Sequence, residues 1–176
     1  MTADEYFYDP DETNRKRELA CGILREPPAP FYSHQRLSLR VARLIADHVE
    51  PRQLGEVVTA PIDVVLDYDR ALIVQPDVLF IAADRLSIVN RQVWGAPDLA
   101  VEILSSATAA YERVDKYGWY REYGVREYWI VDPFTESVVV CDFTGSEPAR
   151  RAFSGTDAIR STVIPDFNTA VAALFL

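Results

Sequence analysis

Cysteine is scarce in this 176-residue chain: Cys21 and Cys141 stand far apart, with no paired spacing. They support neither a disulfide framework nor a zinc ribbon, and they read as buried or incidental thiols in a reducing, cytoplasmic compartment. There is no run of about 18 apolar residues, so no membrane-spanning helix is expected. The opening stretch, MTADEYFYDPDETNRKRELA, is acidic and aromatic without an apolar centre, unlike a secretory leader. The glycines form no phosphate-cradling loop. Only two histidines, His34 and His48, are available to a Ser- or Cys-based triad, and neither has a nucleophile in a recognisable setting. Positive charge is in deficit too, with 18 Lys and Arg against 27 Asp and Glu and a net charge of −9. That disfavours a protein that coats nucleic acid, because non-specific affinity comes from neutralising phosphates. It leaves room for an enzyme that holds a divalent cation on carboxylates and meets DNA along one local basic strip.

What is present is ordinary globular composition, 49% hydrophobic and 26% charged. Residues 1–14 are expected as an N-terminal arm and 15–176 as one domain, without repeats or a dividing linker. Residues 18–25 (ELACGILR) read as a strand that ends at EPPAP. A helix is predicted over Ser33–Glu50, with Leu37, Val41, Leu44, Ile45 and His48 on one face and Ser33 able to cap it. Segments 56–66, 72–82 and 98–104 are rich in β-branched residues and read as strands. A second helix is predicted over Ala109–Tyr123, closed by Gly124. Strands at 127–131 and 136–143 follow, joined by a turn at Asp132-Pro133, and a short helix is predicted near Asn168–Phe175. Strand 98–104, helix 109–123 and strand 127–131 make a right-handed βαβ crossover. The fold class is therefore α/β in the mixed, α+β sense: a central parallel pair with antiparallel strands on either side.

The chemistry begins in VEILS, 101–105. Leu99, Val101 and Ile103 share one strand face, while Ala100 and Leu104 flank Glu102 on the other. A carboxylate in such a strand is costly unless paired or bound to metal; an arginine or a backbone N–H would satisfy it equally well. Two proline-preceded acids are candidate partners, Asp77 and Asp98. Asp98 lies four residues from Glu102 on the same strand, roughly 13 Å away, too far to share an ion with bonds of about 2.1 Å. Asp77 lies on another strand, whose neighbour can be about 4.8 Å away. Geometry selects Asp77, although a Pro-Asp strand entry accounts for that residue alone. Lys116, with Trp119 and Tyr120 at i+3 and i+4, has its stem along aromatic surface. Its ammonium can either reach the carboxylates or snorkel to solvent. Arg36, Arg40 and Arg43 form a narrow basic stripe on the first helix, suited to phosphate contact or simply to solvation.

Together these blocks resemble the PD-(D/E)XK nuclease superfamily, and in particular its Uma-type family of restriction-endonuclease-like proteins. The resemblance runs through REL-x-x-G at 17–22, SHQRLSLRVARLIADHVE at 33–50, QPDVLF at 75–80 and APDLAVEILS at 96–105. It continues through DKYGWYREYGVREYWIVDP at 115–133 and PDFNTAVAALF at 165–175. It implies a restriction-endonuclease-like core in which Asp77, Glu102 and the carbonyl of Ile103 hold Mg²⁺ or Mn²⁺. Glu18 would orient a water or assist a second ion, and Lys116 would serve as the catalytic lysine. His34 matches a histidine of the family and stands either near the site or at the helix cap. The chain departs from the pattern where Leu104 occupies the usual lysine position, where Ile23 replaces a common acid, and where Ser106-Ala107 replaces Ser-Pro.

The expected activity is metal-dependent hydrolysis of phosphodiester bonds in DNA by a cytoplasmic homodimer. The competing reading is a catalytically idle relative that keeps the fold as a DNA-binding or protein-interaction module. A third is an acid-rich structural subunit with 117–129 as an interface.

Overall fold

The computed structural model describes residues 1–9, 16–105 and 111–176. Helix α1 (Ala3–Phe7) opens the chain, followed by β1 (Glu18–Ala20), β2 (Ile23–Arg25) and the long helix α2 (Tyr32–Val49). Next come β3 (Gly55–Thr59), β4 (Val64–Asp67), β5 (Leu72–Val74), β6 (Val78–Ala82), β7 (Val93–Trp94) and β8 (Leu99–Ile103). A π-helical stretch, Glu112–Lys116, leads into α3 (Tyr117–Glu122), then β9 (Glu127–Asp132), β10 (Ser137–Asp142) and β11 (Ala149–Ser154). The chain closes with β12 (Ala158–Ile159), β13 (Thr169–Ala170) and α4 (Ala172–Phe175).

A six-stranded sheet has the order β11-β10-β9-β8-β6-β3, and a five-stranded sheet the order β2-β1-β5-β4-β7. In the larger sheet β8 and β9 are parallel, while β6 and β10 pair antiparallel on their outer sides. This is the mixed sheet with a central crossover that the sequence pattern predicts. Alternation along β8 and β9 divides the interior. Leu99, Val101, Ile103, Trp129 and Val131 pack with Leu37, Val41 and Ile45 of α2. Ala100, Leu104, Tyr128 and Ile130 pack with Tyr120 of α3 and with Val64, Leu72 and Val74 of the smaller sheet. The six-stranded sheet is thus covered by α2 on one face and by α3 and the second sheet on the other.

Several boundaries differ from the sequence reading. Segment 18–25 is a hairpin, turned by Cys21 (φ 49°) and Gly22 (φ 85°), rather than one strand. Segments 56–66 and 72–82 each break at a proline, Pro61 and Pro76, and cross from one sheet to the other. A proline cannot donate to a ladder, so each is a natural point of departure. Helix α2 begins at Tyr32 with Phe31 as its N-cap, so Ser33 lies inside the first turn and cannot cap it. Gly124, at φ 90°, takes the left-handed position after α3 as expected. The start of the predicted second helix, the Ser106-Ala107 substitution and arm residues 10–14 lie outside the described residues. Within the rest of that arm, α1 carries a Thr2–Glu5 capping box and buries Ala3 and Tyr6. The Tyr6 hydroxyl donates to the Arg17 carbonyl and to Asp63.

Asp98 starts β8 at the end away from Glu102 and is fully buried. One oxygen accepts from the Ala82 N–H at 2.8 Å, and the other meets Arg85 at 2.9 Å and Arg126 at 3.0 Å. Burial works against its charge, but these donors outweigh it and hold the carboxyl below its ordinary value. Asp98→Ala lets both half-exposed guanidinium groups turn to water and strands the Ala82 N–H. The expected loss is about 1–3 kcal/mol in urea unfolding. Because the folded-state pKa is depressed, the wild-type advantage is complete at neutral pH and declines as pH falls through that value. An advantage that grew on acidification would contradict this assignment.

Candidate functional site

The two sheets part where β5 hands over to β6, and the carboxylates gather there. Register places Val78 opposite Val101, so one step further along the antiparallel pair Asp77 stands opposite Glu102. The backbone confirms their closeness, since the Ile103 N–H donates to Asp77 Oδ2 at 2.8 Å. Glu18 arrives from β1 of the other sheet and accepts the Gln75 N–H at 2.7 Å, just before Pro76. Lys116 ends the π-helical stretch, a rare geometry that often marks functional positions. Its ammonium lies 2.7 Å from Glu18 Oε1 and 2.6 Å from Glu102 Oε1, and the side chain is only 1% exposed. His34, in the first turn of α2, places Nε2 3.1 Å from the Ile103 carbonyl and 3.3 Å from Asp77 Oδ2. Glu18, Asp77, Glu102, Ile103, Lys116 and His34 therefore meet in one place. Arg36, Arg40 and Arg43 instead line a cleft with Leu39, Leu44, Asp47 and Ala173, and Arg36 donates to the Leu176 carbonyl.

A family model described as "Putative restriction endonuclease", Uma2, matches residues 3–172. The chain belongs to the Uma2 family. An uncharacterised protein of Synechocystis sp. is 26% identical over 136 residues, 76% of each chain. The fold matches a crystal structure from Anabaena variabilis described as "a putative nuclease belonging to DUF820", with a TM-score of 0.83 at 19% identity. That match covers 99% of this chain and 97% of the other. The family is nuclease-like and the fold restriction-endonuclease-like. Among the described residues no helix is long and apolar enough to cross a membrane.

Sequence reasoning missed three residues of this Uma2 site. Lys16 lies 2.8 Å from Asp77 Oδ1 and 3.7 Å from Glu102 Oε2. Tyr120, buried on α3, donates to Glu102 Oε1 at 2.8 Å, and Tyr111 donates to Glu18 Oε2 at 3.2 Å. A signal for the first was available: the chain has only two lysines, Lys16 and Lys116, and both converge here. For Tyr120 the i+4 spacing from Lys116 was visible, but it marked packing against the lysine stem rather than a bond to the acid.

The protonation of the group follows from burial set against these partners. Burial disfavours charge on Asp77, yet Lys16 and His34 more than compensate and hold its carboxyl well below the usual range. Burial is likewise outweighed at Glu18, where Lys116, Lys16 and the Gln75 N–H lower the pKa. At Glu102 burial prevails over Lys116 and Lys16, and its pKa is raised. His34 is also raised, because Asp77 overcomes the effect of burial.

Five buried carboxylates are described: Glu18, Asp77, Asp98, Glu102 and Glu127. Four of them have a donor at each oxygen, but among the described residues Glu102 Oε2 has no hydrogen-bond partner. Among the described residues, no group of three or more His, Cys, Asp or Glu side chains is arranged to hold a metal ion. The donors on offer are instead two carboxylates, one with a buried oxygen to spare, and a main-chain carbonyl. These are hard oxygen ligands of the kind that suits Mg²⁺ or Mn²⁺.

Lys116→Met removes the ammonium between two buried acids and leaves them with only the more distant Lys16 as counter-charge. The expected loss of stability is about 3–5 kcal/mol at neutral pH, measured by chemical denaturation. Protonating a stranded carboxylate relieves it, so the deficit should shrink as pH falls from 7 to 5. A deficit below about 1 kcal/mol would show that the ion pairs carry little of the fold.

Proposed function

We propose that the chain is a divalent-metal-dependent endonuclease that hydrolyses phosphodiester bonds in DNA, using Mg²⁺ or Mn²⁺. The observation that carries this reading is Glu102 Oε2, which accepts no hydrogen bond among the described residues, beside Asp77 on the neighbouring strand. Asp77, Glu102 and the Ile103 carbonyl would hold the ion. When bound, such an ion lowers the pKa of a coordinated water toward neutrality and offsets charge on the phosphate.

The chain's own groups prepare that arrangement. Lys116 and Tyr120 occupy Glu102 Oε1, so Oε2 is the oxygen that would be offered to an ion. His34 fixes the Ile103 carbonyl. Lys116, anchored between two acids, supplies fixed positive charge to an approaching hydroxide or phosphate oxygen without having to reorganise. Glu18 holds Lys116 in place and can orient a water. Arg36, Arg40 and Arg43 follow the phosphate backbone, giving affinity without reading bases. A symmetric homodimer in the cytoplasm would bring two such sites to the two strands.

The direct test is incubation of supercoiled plasmid with purified protein and Mg²⁺ or Mn²⁺, beside Asp77→Asn and Glu102→Gln. Nicking should require the ion and fall at least about a hundredfold in each variant. Activity that persists undiminished in both would come from a contaminant and remove the mechanism.

A second reading is supported by one feature: the acids already have ammonium partners, with Lys116 on Glu18 and Glu102 and Lys16 on Asp77. An idle relative that keeps the fold as a DNA-binding or protein-interaction module would look like this. Thermal melting separates the two. Millimolar Mg²⁺ or Mn²⁺ should raise the Tm of the wild type and not of Glu102→Ala, since only a protein that binds the ion is stabilised by it. Identical melting with and without metal in both proteins favours the idle module.

A further inference from the structure

Lys16 stands between the two acids. Its ammonium lies against Asp77 Oδ1 at 2.8 Å and faces Glu102 Oε2 at 3.7 Å. Those are the two oxygens that a cation shared by the acid pair would use. A divalent ion with bonds of about 2.1 Å to the same oxygens would crowd an ammonium already there, and the two charges would repel.

The backbone beside Lys16 is firmly tied. The Arg17 N–H donates to the Gln75 side chain, and its carbonyl accepts from the buried Tyr6 hydroxyl. The Arg17 guanidinium reaches the Tyr6 carbonyl and Asp9 at 2.8 Å each. The anchor lies in the main chain, whereas the Lys16 side chain is 22% exposed on a flexible four-carbon stem. Lys116, at 1%, is enclosed. Lys16 is thus the more exposed of the two lysines, although Asp77 and Glu102 both favour its charge.

We propose that Lys16 sets the divalent-ion affinity of the Asp77–Glu102 pair: its ammonium is the resident cation, and the ion enters by exchange with it. This inference rests on the metal-binding reading above. In the absence of metal, Lys16 compensates Asp77 and keeps the acid pair from repelling itself. Ion entry transfers that task to the metal and sends the ammonium toward solvent. The affinity of the site is therefore the difference between two cations for the same oxygens.

Having only two lysines makes the exchange directly readable. The wild-type protein is treated with an acetylating N-hydroxysuccinimide ester with and without saturating Mn²⁺, and each lysine is followed by peptide mass spectrometry. Lys16 should react several-fold faster with Mn²⁺ present, while Lys116 stays protected and serves as the internal reference. In parallel, the Mn²⁺ Kd is measured by calorimetry for the wild type, Lys16→Met and Lys16→Arg. Lys16→Met removes the competing charge and should bind at least tenfold tighter, about 1.4 kcal/mol. Lys16→Arg keeps the charge on a fork suited to carboxylates and should bind no tighter than the wild type.

Unchanged Lys16 reactivity at saturation overturns the exchange while leaving the metal site standing. An equal or weaker Kd for Lys16→Met does the same. Tighter binding by Lys16→Arg as well would assign the effect to loss of contacts rather than to competition, and also overturns it. Failure of both wild type and Lys16→Met to bind Mn²⁺ removes the exchange together with the metal-dependent function. If Lys16→Met does not fold, the wild-type labelling decides alone.

Discussion

The ammonium of Lys116, enclosed between Glu18 and Glu102, is the interaction on which the rest of the site depends. Its three charges come from three separate pieces of the fold: a strand of the smaller sheet, a strand of the larger one and the crossover helix. Each would cost several kcal/mol to bury alone. The penalty is offset when all three meet at hydrogen-bond distance and further donors join them. Gln75 N–H and Tyr111 complete Glu18, and Tyr120 joins Lys116 on Glu102. A displacement of either sheet or of the helix would leave charge stranded, so the electrostatics fix the relative positions of elements that apolar packing alone would hold less specifically.

The location of this cluster follows from the proline-broken strands. Where a strand leaves one sheet for the other, its ladder ends and its backbone donors must find other partners. At Gln75-Pro76-Asp77 they find carboxylates. The Gln75 N–H is taken by Glu18, and Asp77 in turn accepts the Ile103 N–H. The same break that separates the sheets thus supplies the backbone groups that hold the acids there.

Much of this was legible in the residues. The alternation around Glu102, the crossover from 98 to 131 and the impossibility of spanning four strand residues with one ion were enough to choose Asp77 over Asp98. The sheet register places Asp77 one step beyond the Val78–Val101 pair. Other features were hidden for definite reasons. β-branched composition marks strand character but not sheet membership, so 56–66 and 72–82 read as single strands although each serves two sheets. Strand β11, ARRAFS, is mostly exposed on the sheet edge and carries no hydrophobic alternation to read. Lys16 escaped because its partner Asp77 is 61 residues away in sequence, and local spacing carries no information at that range.

Burial of a carboxylate is by itself a poor guide to function in this fold. Asp98 and Glu127 are as deeply buried as Glu102. Asp98 is closed by two guanidinium groups and a backbone N–H. Glu127 is closed by the Trp129 indole at 2.7 Å and the Thr162 N–H at 2.6 Å. Both are complete structural joints that leave no oxygen for a ligand. Glu102 differs: two strong donors crowd onto Oε1, while among the described residues Oε2 faces only the more distant Lys16 ammonium. A buried oxygen without a donor is a standing cost of about 1–3 kcal/mol or more for a charged group. Among the described residues this oxygen differs from those of Asp98 and Glu127, each of which has a donor. What sets Glu102 apart from Asp98 and Glu127 is therefore its hydrogen bonding, not its depth.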